Sequence, residues 1–245
     1  DAPEYTEHMD QTTYPGKGSH LRRIESLHIS RANFIVTTTK RDADYCALLN
    51  PHATILTAPN IVSLEPTNND TNEDQRKRAD MLAKHKLSSG RLTLAFVGDC
   101  RYQPNAQGII WFIDSVFDKL HKDVKEMLSI KIFGNGSLDF AKDWSRDEIV
   151  FCGYAESLDS AYADVDFSLI PLLQGGGSRL KAFEAIERSI GIITTPKGCE
   201  GINIDTLTPF VHTFTCPESF AEAIKAAYGQ IRDVNSATQR ERILG

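Results

Sequence analysis

Long apolar runs are missing from this 245-residue sequence. No segment approaches the 18 or so consecutive apolar residues that a membrane-spanning helix requires, although 41% of all residues are hydrophobic. We therefore expect no transmembrane segment. With 24% charged residues the composition is that of an ordinary globular chain, which excludes the collagen-like and intrinsically disordered classes.

Paired cysteines are missing as well. The five cysteines are odd in number, widely spaced and free of any Cys-x-x-Cys pair. This usage is typical of a reducing compartment, so we expect a cytoplasmic protein. The seven histidines show no metal-ligand spacing, and none is assigned a catalytic role.

Positive charge is in short supply. The 27 basic residues face 33 acidic ones, which gives a net charge of −6. We expect no nucleic-acid partner, because phosphate backbones require concentrated positive charge. The basic triplet at 76–78 lies among acids and is interpreted as a solvated surface. This charge balance is compatible with a small anionic ligand, provided that a local cluster of cations and backbone amides binds it.

From residue 92 onward, short β-branched and aromatic runs alternate with amphipathic segments. This alternation is typical of βαβ units with a parallel sheet, so the sequence predicts an α/β fold. A closing helix begins at Pro217. The predicted strands are Leu92–Val97, Ser129–Phe133, Ile149–Cys152, Phe167–Pro171, Ile190–Thr194 and Phe210–Phe214. We interpret 91–232 as one complete Rossmann-like domain, with 233–245 as a C-terminal tail.

A smaller piece with the same pattern precedes this domain. The sequence predicts helices at His20–Arg31 and Lys40–Leu49 and strands at Phe34–Thr37 and Thr54–Ala58. Two strands are too few for an independent sheet. We therefore interpret 1–64 as the last part of an N-terminal Rossmann-like domain whose earlier strands are not in this chain. The polar segment 65–90 is then an interdomain linker.

The most informative stretch follows the strand Phe167–Pro171. It contains Gly175, Gly176, Gly177, Ser178, Arg179, Leu180 and Lys181. Three glycines let backbone amides approach a ligand closely, and serine is a good N-cap for the helix that follows. The first helical turn then carries Arg179 and Lys181, where acids are preferred in an empty helix. This arrangement predicts a phosphate site at the carboxyl end of the strand.

Glu184 follows Lys181 by three residues and projects from the same helical face. A carboxylate one turn behind a phosphate site is placed to accept hydrogen bonds from a ribose diol. The alternative is that Lys181, Glu184 and Arg188 form surface ion pairs of little energetic value. The sequence leaves both interpretations open and favours the first.

Over residues 21–231 the order and spacing of these motifs resemble the group-1 (family 4) retaining glycosyltransferases. The most specific parts are the run Gly-Gly-Gly-Ser-Arg-Leu-Lys-Ala-Phe-Glu and the later Gly-Cys-Glu-Gly. The other residues that carry the resemblance are Gly98, Tyr102, Pro104, Asn105, Gly134, Gly153, Tyr154, Pro196 and Gly198. The resemblance implies the GT-B architecture, two facing Rossmann domains with the active site in the cleft between them.

The resemblance also implies roles for individual residues. Glu184 resembles the second acid of the family's E-x7-E pattern, which binds the nucleotide ribose. Arg179 and Lys181 resemble the basic pair that neutralises the donor diphosphate together with the glycine turn. Gly98 faces the donor phosphates, with Arg101 as a helper. Residues Gly153 and Tyr154 correspond to the loop that contacts the base.

The first acid of the E-x7-E pattern is absent, because Gly176 occupies its position. The contact to the sugar ring and the catalytic residues are therefore left unassigned. The resemblance implies transfer of a sugar from a nucleoside-diphosphate donor to a glycan or lipid-linked acceptor, with retention of configuration. It implies no metal and no cofactor. Any membrane association is expected to be peripheral, through the part of the N-terminal domain that this chain does not contain.

Three alternatives compete with this interpretation. Two Asp-x-Asp triplets, at 42–44 and 164–166, could bind a metal, but one falls in a predicted helix and the other precedes a strand. A sugar-nucleotide epimerase would share the donor site, but it needs an acid and a base that the sequence does not reveal. The chain could also be a donor-binding half without independent catalysis, as a fragment, a subunit or one part of a split enzyme.

Overall fold

The structure is a computed structural model and describes residues 17–58, 90–175, 179–188, 190–202 and 210–244. Its helices are α1 (Lys17–Arg31), α2 (Lys40–Leu49), α3 (Gln103–Trp111), α4 (Lys122–Glu126), α5 (Ser137–Trp144), α6 (Leu158–Tyr162), α7 (Leu180–Glu187) and α8 (Pro217–Leu244). Its strands are β1 (Phe34–Thr37), β2 (Thr54–Thr57), β3 (Leu92–Val97), β4 (Leu128–Phe133), β5 (Ile149–Gly153), β6 (Phe167–Ile170), β7 (Gly191–Thr194) and β8 (Val211–Thr213).

The chain divides into two compact units. The first unit combines the N-terminal part of the chain with Leu173–Leu180 and Glu200–Ile202. Its strands β1 and β2 pair in parallel, and α2 packs on both of them. The Thr39 side chain caps α2 by accepting a hydrogen bond from the Asp42 amide at 3.1 Å, because serine and threonine oxygens satisfy first-turn donors.

The second unit is built on a six-stranded sheet in the order β5-β4-β3-β6-β7-β8. Every neighbouring pair in this sheet is parallel. The strand order reverses direction between β3 and β6, as in a Rossmann-like sheet. Such a switch point is where open α/β sheets bind ligands, at the carboxyl ends of the strands.

The core of the second unit forms around its central strand. Residues 92–96 of β3 are all buried, as expected of a parallel strand covered on both faces. An aromatic cluster packs beside it: the Phe112 ring centroid lies 5.1 Å from that of Phe220 and 6.0 Å from that of Phe214. Because Phe220 belongs to α8, this cluster attaches the last helix to the sheet.

Backbone hydrogen bonds connect the loops at the carboxyl edge of the sheet. The Gly98 amide donates to the Phe133 carbonyl at 3.0 Å, and the Cys100 amide donates to the Asn135 carbonyl at 2.8 Å. The Gly134 amide donates to the Gly153 carbonyl at 2.8 Å. The loops that follow β3, β4 and β5 are therefore fixed to one another by hydrogen bonds of the main chain.

The predicted strands, and the helices predicted at His20–Arg31, at Lys40–Leu49, after the glycine run and from Pro217, are confirmed for the described residues, with small shifts at the boundaries. After α3 the chain continues in a π-helical turn (Phe112–Val116) and a short 3-10 turn (Phe117–Lys119). Because a π-helical turn brings residues five apart to the same side, both Phe112 and Phe117 face the core. One difference from the sequence analysis is that α8 continues to Leu244, through most of the segment predicted as a tail.

We predict that Gly134→Ala strongly destabilises the fold. A Cβ at Gly134 would overlap the Gly98 carbonyl oxygen, and the φ of +142° is unfavourable for any side chain. Strain and overpacking together should lower the free energy of unfolding by about 3 kcal/mol or more, measured by urea denaturation. Gly90→Ala is the matched control, because its φ is +70° but no atom lies within 4 Å of the added carbon. Equal losses in the two variants would contradict this reading of the contact.

Candidate functional site

A cavity of about 190 Å³ opens at the carboxyl edge of the second unit's sheet. Its walls come from the loops that follow β3, β4 and β5, so the backbone hydrogen bonds between those loops also shape the cavity. The lining residues are Val97, Gly98, Asp99, Phe133, Gly134, Asn135, Tyr154, Ala155, Glu156, Ser157 and Leu158. Two of the residues predicted from the sequence, Gly98 and Tyr154, therefore border the same space.

The β5 side of the cavity ends in an exposed aromatic ring. Gly153 has a φ of +76°, which favours glycine, and its amide donates to the buried Ser137 hydroxyl at 3.0 Å. The next residue, Tyr154, has a side chain that is 72% exposed. An exposed tyrosine beside a concave site offers a flat face to a planar ligand.

Arg101, predicted as a helper for phosphates, is engaged with a neighbouring acid. Its guanidinium donates to both carboxylate oxygens of Asp99, at 3.0 and 2.7 Å, and its amide donates to the same carboxylate at 2.9 Å. These hydrogen bonds from Arg101 lower the pKa of the Asp99 carboxyl to about 2. The role of Arg101 toward a phosphate stays a prediction.

Lys181 lies directly over Gly98. A Cβ built on Gly98 would lie 2.6 Å from the Lys181 Cε and 3.0 Å from its Nζ, so only glycine leaves room for this side chain without a shift. The Lys181 ammonium is also 5.6 Å from the centre of the Phe96 ring. The helix α7 and the loop after β3 therefore bring two predicted site residues, Gly98 and Lys181, into contact.

A buried amide lies beside this contact. Asn105 is 3% exposed, and its Nδ2 donates to the Asp99 carbonyl at 2.8 Å. The same Nδ2 would be 3.2 Å from a Cβ on Gly98. Its Oδ1 is buried and accepts no hydrogen bond from the part of the chain that the structure describes. In the sequence, Asn105 is one of the residues that carry the family resemblance, and no role was predicted for it.

The glycine turn after β6 is described in part. Gly175 has a φ of +109°, a conformation that favours glycine. Arg179 is buried, and its Nη2 donates to the Gly175 carbonyl at 2.7 Å and to the Glu200 carboxylate at 3.0 Å. The predicted phosphate ligands Gly176, Gly177 and Ser178 lie outside the described residues. Phosphate binding by Gly175 and Arg179 stays a prediction.

Glu184 lies on α7, half-buried and one turn after Lys181, as the sequence spacing predicts. The Arg188 guanidinium pairs with Asp159 at 2.9 Å and donates to the backbone carbonyl of Glu184 at 3.1 Å. Arg188 is thus directed to the Asp159 carboxylate, which weakens the alternative of a surface ion pair with the Glu184 side chain. The ribose role of Glu184 stays a prediction.

No described helix is both long enough and apolar enough to cross a membrane. Among the residues that the structure describes, no group of three or more histidine, cysteine, aspartate or glutamate side chains could hold a metal ion.

A family model described as "Glycosyl transferases group 1" matches residues 91–230, and the chain belongs to this family. It is 25% identical over 125 residues to an uncharacterized 44.6 kDa protein in the cps region of Klebsiella pneumoniae. That match covers 47% of this chain and 32% of the relative, so it spans about a third of the relative's length.

Several solved structures share the fold. WaaG, a glycosyltransferase involved in lipopolysaccharide biosynthesis, is 14% identical with a TM-score of 0.61, over 96% of this chain and 68% of WaaG. A complex of S. aureus TarM is 12% identical with a TM-score of 0.56, over 87% and 42% of the two chains. Anabaena HepE is 10% identical with a TM-score of 0.53, over 93% and 64%. The predicted α/β, GT-B-like fold class is confirmed.

We predict that the Asp99 carboxyl titrates near pH 2 and that Arg101 causes this low pKa. Because the folded pKa lies below the ordinary 3.8, the pair stabilises the fold above about pH 4 and loses this effect as the pH falls through 2. In Arg101→Gln, carbon-13 NMR should show the titration midpoint move up from 2 toward 3.8 without reaching it, because the backbone amide of residue 101 still donates to the carboxylate. Asp118, whose pKa is lowered by Arg146, serves as the internal control and should not move. A midpoint that stays near 2 in the variant would refute the assignment of cause.

Proposed function

We propose that this chain binds a nucleoside-diphosphate sugar at the carboxyl edge of the second unit's sheet and takes part in transferring the sugar to a glycan or lipid-linked acceptor. Retention of the anomeric configuration, as in family 4, is part of the proposal. Membership of the group 1 glycosyl transferases supports the reaction class. The donor is proposed from the chemistry of the site, and the acceptor is proposed from the family resemblance alone.

One observation carries the proposal: Gly98 lines the cavity, and the Lys181 ammonium lies over the same residue. A ligand with a flat group in the cavity and an anionic group beside Gly98 would meet both. A nucleoside diphosphate has these two parts joined by a ribose, and Glu184 stands one helical turn behind the ammonium to receive the ribose hydroxyls.

The size of the cavity suits one part of such a ligand. At about 190 Å³ it is smaller than the roughly 300–1,000 Å³ of pockets that enclose a whole small molecule. We therefore assign it to the base, with the phosphates outside it. The Tyr154 ring at its edge can stack on a base, an interaction worth about 1–3 kcal/mol.

The proposed chemistry follows from charge development. Breaking the bond between the anomeric carbon and the phosphate places negative charge on the leaving diphosphate and positive character on the sugar. Lys181 is proposed to stabilise the leaving group, because a preorganised cation needs no reorganisation during the reaction. The glycine turn and Arg179 are expected from the sequence to bind phosphate as well. In this proposal neither a metal nor a cofactor is required.

A second candidate is a donor-binding half without independent catalysis. The first unit supports it, because among its described residues β1 and β2 form a two-stranded sheet, on which Phe34, Val36 and Leu56 are exposed. If it is correct, the chain binds the donor but transfers no sugar by itself. Measuring donor binding and donor turnover on the same preparation separates the two candidates. The predicted cytoplasmic location and peripheral membrane association are proposals that this measurement does not address.

We predict that Lys181→Met weakens nucleoside-diphosphate binding about tenfold or more, because a charge-assisted hydrogen bond contributes about 1.5–3 kcal/mol. A thermal-shift panel of UDP, GDP and dTDP first selects the tightest ligand, and calorimetry then gives its dissociation constant in both proteins. Lys122→Met is the matched control, because Lys122 is an exposed lysine on α4. Wild-type affinity in Lys181→Met would remove the site assignment.

We predict that Glu184→Gln weakens binding of that nucleoside diphosphate more than binding of inorganic pyrophosphate. The reason is that only the nucleotide carries a ribose diol for the carboxylate to bind. Glu187→Gln, an exposed change on the same helix, should alter neither affinity. If Glu184→Gln weakens both ligands by the same factor, the ribose role is wrong.

A further inference from the structure

Two arginines from distant parts of the chain share one carboxylate. The Glu200 Oε2 accepts a hydrogen bond from the Arg179 Nη2 at 3.0 Å, and its Oε1 accepts one from the Arg41 Nη1 at 2.6 Å. We call these three residues the Glu200 cluster. All three belong to the first unit, which includes Leu173–Leu180 and Glu200–Ile202.

Exposure increases along the Glu200 cluster. The side chain of Arg179 is 5% exposed, that of Glu200 is 33% exposed and that of Arg41 is 62% exposed. A guanidinium that is almost completely buried requires a counter-charge, because an uncompensated buried charge is strongly destabilising. Glu200 supplies that charge. Arg41 lies at the solvent side of the carboxylate and holds its other oxygen.

The buried guanidinium also holds the glycine turn. The Arg179 Nη2 that contacts Glu200 donates to the Gly175 carbonyl at 2.7 Å as well. Gly175 opens the run of three glycines and has a φ of +109°, so its peptide could adopt many orientations without this restraint. Arg179 therefore restrains the Gly175 carbonyl at the point where the glycine run begins.

We propose that Glu200 is a positioning residue of the predicted phosphate-binding turn that Gly175 opens: it holds the Arg179 guanidinium against the Gly175 carbonyl, and Arg41 holds Glu200 from the other side. This inference rests on the proposed function, in which the glycine turn receives the donor diphosphate. Glu200 acts through Arg179 and does not contact the donor. Its effect on affinity is therefore indirect.

The direction in which Glu200→Gln changes the affinity for an anion distinguishes a positioning role of Glu200 from a role as a simple counter-charge. Glu200 carries a negative charge next to a proposed anion site, and removing that charge alone would favour anion binding. Removing the restraint on Arg179 and Gly175 would disfavour it, because a misplaced group loses much of its binding energy. Positioning therefore predicts weaker binding in Glu200→Gln, against the direction of the charge change.

The experiment measures binding of inorganic pyrophosphate and UDP to the full chain by calorimetry. Glu200→Gln should weaken both ligands about tenfold, and Arg41→Gln should weaken them about twofold to threefold. Arg179→Gln should also weaken both, and the double variant Glu200→Gln/Arg179→Gln should bind no more weakly than Arg179→Gln alone. Unchanged or tighter binding in Glu200→Gln, or additive losses in the double variant, would overturn the proposal.

Controls separate this inference from the proposed function. Glu187→Gln removes one exposed negative charge from α7 without touching the Glu200 cluster, and it should leave both affinities unchanged. If the wild-type chain binds neither pyrophosphate nor UDP, the proposed function fails. If it binds both and Lys181→Met weakens them while Glu200→Gln does not, only the positioning role fails. Should Glu200→Gln not fold, judged by its thermal unfolding, the exposed Arg41→Gln decides: weakened binding supports the proposal and wild-type affinity overturns it.

Discussion

The contact between two glycine backbones fixes the edge of the sheet on which the candidate site lies. Gly134 lies so close to the Gly98 carbonyl that no side chain fits between them, and hydrogen bonds join the loops after β3, β4 and β5. The cavity walls and the position of Gly98 beneath Lys181 follow from this arrangement. A parallel sheet ends all its strands at one edge, and here the main chain also sets the spacing of the loops at that edge.

The cations of both units have local partners, which bears on how an acidic protein is proposed to hold an anion. In the second unit Arg101 is directed by Asp99 and the Lys181 ammonium lies near the face of Phe96, and in the first unit Arg179 is directed by Glu200. Each partner restricts where its cation can point, so less rotamer entropy remains to be lost when a ligand binds. The net charge of −6 is spread over the whole chain and does not determine the potential at one loop.

The strands could be predicted because burial on both faces of β3 and β6 leaves nearly continuous apolar runs in the sequence. Most of the helices could be predicted from the helical spacing of their apolar residues. The pairing of Glu200 with Arg41 was out of reach of the sequence, since 159 positions separate the two residues and no periodicity connects them. The Asp99–Arg101 pair was missed for a different reason: it depends on loop geometry, which carries no repeating pattern. The contact of Lys181 with Gly98 lies between these cases, because both residues were predicted to bind phosphate but their mutual packing was not.

The glycines of the site are required for three separate physical reasons. Gly134 faces a backbone carbonyl that cannot move, Gly175 has a left-handed φ, and Gly98 faces the flexible end of the Lys181 side chain. A substitution at Gly134 acts on the fold, whereas one at Gly98 displaces Lys181, the cation proposed to bind the ligand, and leaves the main chain intact. The contacts that maintain the fold at this edge are therefore main-chain contacts, and the groups proposed to select the ligand are side chains. This division is consistent with a fold that persists in neighbours only 10–14% identical, because main-chain contacts constrain few side-chain identities beyond the glycines themselves.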